Sequence, residues 1–100
     1  MNKQQILHYL KNKKNELYTQ YGITTLGLYG SYARDEATKD SDIDIFYKRD
    51  DKFELQSGLK FLNISDKLAK ELNVNKVDFV SLEHMNPIVK YYAQKDFIYV

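Results

Sequence analysis

Two aspartates two residues apart, in the run Ser41-Asp42-Ile43-Asp44-Ile45-Phe46, are the groups in this chain best suited to chemistry. Side chains alternate faces along a strand, so Asp42 and Asp44 project from one face and Ile43 and Ile45 from the other. Two ionised carboxylates held that close repel each other unless a cation sits between them. Oxygen donors with no histidine or cysteine nearby favour Mg²⁺ or Mn²⁺ over zinc. A solvated strand start would explain such a pair by itself, but Gly30-Ser31 lies just upstream, separated from it by ten residues. A glycine lets backbone approach a ligand closely, the Ser31 hydroxyl adds a donor, and a helix opening there would aim free N–H groups at a phosphate. A metal–triphosphate complex needs both parts. The third carboxylate is Asp78, in Lys76-Val77-Asp78-Phe79-Val80, because an aspartate between valine and phenylalanine in a strand is costly unless paired, hydrogen-bonded or metal-bound. Three such groups would complete a two-metal site with ions about 3.5–4 Å apart, and Asp78 would also take the acceptor's proton.

The elements that must position these residues follow from the pattern. A helix is predicted from Lys3 to Tyr21, opened by an Asn2/Gln5 capping box, carried by Ile6, Leu10, Leu17 and Tyr21, and stopped at Gly22. Ile23–Tyr29 reads as a strand, Tyr32–Thr38 as a short helix, and Asp42–Lys48 as a second strand. A longer helix is predicted over Leu55–Leu72, with Leu55, Leu59, Leu62, Ala69 and Leu72 on its apolar side; Gly58, Asn63 and Ser65 weaken it. Lys76–Leu82 makes a third strand, and Asn86-Pro87 opens a helix reaching about Gln94. Phe97–Val100 adds a last short strand. The order αβαβαβαβ gives an α/β (α+β) fold, a small mixed sheet packed with helices, in one domain over residues 1–100.

From Gly30-Ser31-Tyr32-Ala33-Arg34 to Ser41-Asp42-Ile43-Asp44-Ile45 the sequence resembles the DNA polymerase β-like nucleotidyltransferases. Within that superfamily it is similar to the minimal nucleotidyltransferases, including the MntA antitoxins paired with HEPN-domain toxins. The likeness is close from Leu26 to Phe46 and looser from there to Asp78. It implies that Gly30 and Ser31 bind the β- and γ-phosphates, that Asp42 and Asp44 hold two Mg²⁺ ions, and that Asp78 is third ligand and base. Arg34 falls at the family's usual basic position and would reach the triphosphate, unless it is simply a surface arginine. Many members have glycine after this arginine, whereas here Asp35 follows; if a positive φ is needed there, aspartate tolerates it poorly. The implied reaction moves a nucleoside monophosphate, AMP from ATP by family likeness, onto a hydroxyl. The implied partner and acceptor is a HEPN ribonuclease toxin, modified on a tyrosine.

Composition narrows the rest. With 43% hydrophobic and 29% charged residues the chain reads as an ordinary globular protein, and its formal charge of +1 argues against a nucleic-acid backbone as partner. Lys3, Lys11, Lys13 and Lys14 make the first helix basic, which suits RNA, an acidic partner or simply a solvated face. The absence of cysteine suits a reducing cytoplasm, the polar start Met1–Gln5 does not read as a signal peptide, and no membrane association is expected. Only twenty-two residues follow Asp78, so acceptor recognition is expected from a partner or from another copy of the chain. The nine tyrosines, Tyr91, Tyr92 and Tyr99 among them, read chiefly as core and rim, with an interface or a stacked base as the alternative. His8 and His84 fit no catalytic pattern. Two rival functions remain: an antitoxin that blocks its partner sterically, and a nucleotidyltransferase for a small molecule such as an aminoglycoside.

Overall fold

The computed structural model describes residues 1–55 and 57–100. Helix α1 spans Lys3–Tyr21, and its capping box forms: the Gln5 N–H donates to the Asn2 side chain at 2.9 Å, and the Asn2 N–H donates to the Gln5 side chain at 2.9 Å. Gly22 closes the helix in the left-handed conformation. Strands β1 (Ile23–Tyr29), β2 (Ile43–Arg49), β3 (Val77–Ser81) and β4 (Ile98–Tyr99) form one sheet in the order β3-β2-β1-β4. The β1–β2 and β1–β4 pairs are antiparallel and β2–β3 is parallel, so the sheet is mixed.

Each face of the sheet has its own cluster. Leu26, Leu28, Ile43, Ile45 and Val77 are buried in a core shared with Ile6, Leu10 and Leu17 of α1 and with Ile64, Leu68 and Leu72 further along the chain. Each such side chain contributes about 1.5–3 kcal/mol by leaving water. On the other face Phe46, Leu82 and Met85 are buried, and the Phe46 ring stacks on Phe97 with centroids 4.3 Å apart. Gly27 leaves room for Phe46: a methyl group there would collide with the ring and with the Ile98 carbonyl.

Three predicted elements are corrected. Tyr32–Thr38 forms no helix, and the chain passes from β1 to β2 through turns, so the order is α-β-β-α-α-β-α-β rather than strict alternation. The long helix over 55–72 is two helices, α2 (Gly58–Leu62) and α3 (Ile64–Leu72), meeting at Asn63, which caps the end of one and the start of the other. The break resets the phase. Ile64, Leu68, Ala69 and Leu72 bury one stripe of α3, whereas Leu59 and Leu62, predicted on the apolar side, are 73% and 74% exposed. Strand β2 begins at Ile43, which leaves Asp42 one residue ahead of it.

The basic face of α1 is partly spent inside the molecule. Lys13 pairs with Glu16 at 2.7 Å and with Glu71 of α3 at 2.8 Å, and the Tyr9 hydroxyl donates to Glu71. Surface pairs of this kind are worth about 0–1 kcal/mol each, so they fix the angle of α3 on α1 more than they stabilise it. No helix among the described residues is long and apolar enough to cross a membrane.

Candidate active site

The parallel register of β2 and β3 sets Asp44 directly opposite Asp78, and the antiparallel register of β1 and β2 sets Tyr29 opposite Asp44. Directly paired residues share a face, so Tyr29, Asp44 and Asp78 form a row across three strands, on the side away from α1 and α3. Asp42, two residues before Asp44, joins the same side from the loop. The cost of this crowding is electrostatic. Partial burial, then the neighbouring Asp78 and Asp42 carboxylates, push Asp44 up to about 6, with Arg34 opposing the rise. Burial, then the Asp44 and Asp78 carboxylates, push the Tyr29 hydroxyl up to about 12, so it stays protonated near neutrality.

Lys76 answers part of that charge. Its ammonium lies 3.4 Å from Asp78 and 4.0 Å from Asp42. Alternation along the predicted strand Lys76–Leu82 already sets Lys76 on the same side as Asp78.

At the end of β1 the chain turns sharply. Gly30 has φ 79°, and a methyl group there would collide with the Asp44 carboxylate. One turn of helix follows and stops at once. The Arg34 N–H bonds back to the Gly30 carbonyl, Asp35 to Tyr32, and Glu36 to Ser31. The last two bonds are those of a Schellman closure, in which the residue at the Asp35 position is left-handed. Asp35 has φ 60°, a conformation that glycine would adopt without strain. The predicted short helix is therefore cut to one turn. Its first N–H groups, on Ser31, Tyr32 and Ala33, have no backbone acceptor among the described residues.

This turn and Asp44 line one side of a cleft of about 680 Å³, together with Tyr29 and Arg34. The other side comes from helix α4 (Pro87–Ala93) and the short 3₁₀ turn Gln94–Asp96. Arg34 spans the two, donating to Asp96 at 3.0 Å and to Glu36 at 2.9 Å. A second depression, of about 370 Å³ between the N-terminal residues and Ala37–Lys39, contains none of the three carboxylates. Gly30, Ser31, Arg34, Asp42, Asp44 and Asp78 thus lie around the ends of three strands; Lys76 and Tyr29 are not among the predicted site residues, and Tyr92 of the α4 wall is so only as the alternative of a ring for a stacked base. His8 and His84 are exposed, and among the described residues their rings bond Asn12 and Ser81, each within one turn of chain.

Residues 4–100 match the protein family described as polymerase beta, nucleotidyltransferase. The chain belongs to that family. A Methanocaldococcus jannaschii protein provisionally named a protein adenylyltransferase is 36% identical to this nucleotidyltransferase over 97 residues, 96% of this chain and 95% of its own. The protein adenylyltransferase MntA of Thermococcus cleftensis is 33% identical over 87 residues, 87% of this chain and 84% of that one. Among solved structures, a toxin–antitoxin complex with AMP-PNP aligns with a TM-score of 0.59 at 24% identity, covering 89% of this chain and 64% of that chain. A mutant of the toxin–antitoxin MntA-HpeT aligns with a TM-score of 0.56 at 20% identity, covering 96% and 78%. At these identities the two structures speak for the fold, a four-stranded mixed sheet with helices of the polymerase β-like kind.

Nucleotidyltransferases of this family generally work with divalent cations, and the donors here suit one. Three carboxylates on one side of a sheet, one of them raised to about 6 by the others and by burial, form a site short of positive charge. Among the described residues no three acidic or histidine side chains already stand as a ligand cage. Lys76 stands beside two of the carboxylates instead, and its long exposed side chain can swing into solvent as a cation enters.

Proposed function

We propose that this nucleotidyltransferase moves AMP from ATP onto a hydroxyl of a partner protein, a tyrosine of a HEPN-type toxin, and so acts as an antitoxin. The observation that carries the reading is the Gly30–Ser31 turn seated against Asp44, itself paired with Asp78: a turn suited to an anion and carboxylates suited to a cation meet at the ends of neighbouring strands. The named activity of the MntA relative, and the toxin–antitoxin complexes of the same fold, supply the choice of nucleotide and partner.

In the proposed reaction the free N–H groups of the turn and the Ser31 hydroxyl bind the triphosphate tail, and Arg34 faces it from the cleft wall. Asp42, Asp44 and Asp78 would hold Mg²⁺, two ions by family likeness. When bound, the metal neutralises charge on the phosphates and on the departing pyrophosphate. The acceptor oxygen forms a bond to the α-phosphorus as the bond to pyrophosphate breaks, and the acceptor's proton passes to Asp78. Tyr29, neutral at working pH, offers a hydroxyl donor beside Asp44. Positioning and fixed charge do most of the work.

The test is the intact mass of the protein encoded beside this one after incubation with the chain, Mg²⁺ and ATP. A gain of AMP units, absent with Asp42→Asn/Asp44→Asn, is the expected result. A stable complex with no mass gain would move the reading to steric inhibition.

A further inference from the structure

We infer that α4 supplies the nucleobase wall of the cleft, with Tyr92 as the stacking platform and Ile88 and Val89 as its apolar flank. The inference rests on the nucleotide reading of the Gly30–Ser31 turn and deepens it. No α4 residue is buried, and Ile88 and Tyr92 are 70% and 64% exposed. Tyr91 and Tyr92, read chiefly as core and rim, are thus exposed, and among the described residues their rings pair with each other, edge to face at 5.2 Å.

An exposed apolar helix face is unremarkable on its own, but this one is anchored and aimed. Asn86 caps it through the Ile88 and Val89 N–H groups, Pro87 presets its first turn, and Met85 just before it is buried against Phe46 and Leu82. At its far end the Arg34–Asp96 pair ties the 3₁₀ turn to the phosphate-side turn, and Asp96 is mostly shielded from solvent. The cleft is thus held open at a set width between two unlike walls. One wall is lined by Gly30, Ser31 and Asp44, and the other by Ile88, Val89 and Tyr92. A nucleotide has that polarity, an anionic tail and a flat aromatic head, and the cleft volume of about 680 Å³ falls in the usual range for small-molecule sites. Stacking on a tyrosine serves any base with a broad face, so the wall favours purines by area rather than by reading edges.

Calorimetric titration of the intact chain with Mg²⁺-ATP and with Mg²⁺-tripolyphosphate tests the assignment, using Tyr92→Ala and Tyr92→Phe. Tyr92→Ala is expected to weaken ATP about tenfold and to leave tripolyphosphate within about twofold, while Tyr92→Phe keeps the ATP affinity. Unchanged ATP binding in Tyr92→Ala overturns the inference and leaves the face to a protein partner. An equal loss for both ligands overturns it too. Failure of the unaltered chain to bind tripolyphosphate would instead bring down the phosphate reading of the turn, and the base wall with it.

Discussion

Gly30 lies so close to the Asp44 carboxylate that no side chain fits between them. Two demands meet at that one position, a left-handed backbone at φ 79° and a contact that a methyl group would destroy. Gly30→Ala should therefore cost about 2–3 kcal/mol in urea denaturation, combining the left-handed penalty with overpacking. It should also lower nucleotide transfer by more than the folded fraction explains, because the carboxylate must move. A variant of normal stability and activity would contradict the contact.

The raised Asp44 makes a prediction about pH. Folded, it titrates near 6; unfolded, near 3.8. Between those values the folded state keeps a proton that the unfolded chain has released, so the group's contribution to stability is lost as pH rises through the window. In EDTA, the Tm of Asp44→Asn should gain on the unaltered protein from pH 4 to pH 7, and Mg²⁺ should close the gap. Parallel Tm profiles for the two proteins would show that Asp44 is not strained.

In the proposed site Lys76 and a divalent cation would compete for the same carboxylates. Removing the ammonium in Lys76→Met should tighten Mn²⁺ binding several-fold, read by calorimetry, and lower metal-free stability by no more than about 1 kcal/mol, since the lysine is mostly exposed. Weaker Mn²⁺ binding would mean that Lys76 supports the cation rather than substituting for it.

Asp35 carries two opposed effects, a left-handed backbone and a 2.8 Å ion pair with Lys3. Asp35→Gly relieves the first and loses the second, for a net gain of about 0.5–1 kcal/mol. Asp35→Ala keeps the strain and loses the pair, so it should be the least stable of the three. The order glycine, aspartate, alanine in urea midpoint is the expected result; alanine at or above aspartate would place the strain elsewhere.

What could be read from the sequence had a local cause. The α1 boundaries follow from Asn2, Gln5 and Gly22, and the shared side of Asp42 and Asp44 follows from strand alternation alone. What could not be read depended on distant or unusual partners. Tyr32–Thr38 has helical composition, but a left-handed Asp35 closes it after one turn. Leu59 and Leu62 fit the period of α3 until Asn63 shifts the phase. Alternation alone sets Lys76 on the side of Asp78, but its approach to Asp42 needs the parallel pairing of β3 with β2, which no short window reveals.

That pairing has a consequence for quality control. The register that sets Asp44 beside Asp78 also turns Ile43, Ile45 and Val77 into the core. A slip of one residue would bring Asp78 inward and turn Val77 to the other face. A molecule slipped by one residue there would bury a carboxylate and lose a core valine, and so should not hold a compact form. Among purified molecules, the inactive fraction should be the fraction a protease can digest, and specific activity becomes a direct gauge of how many chains have folded.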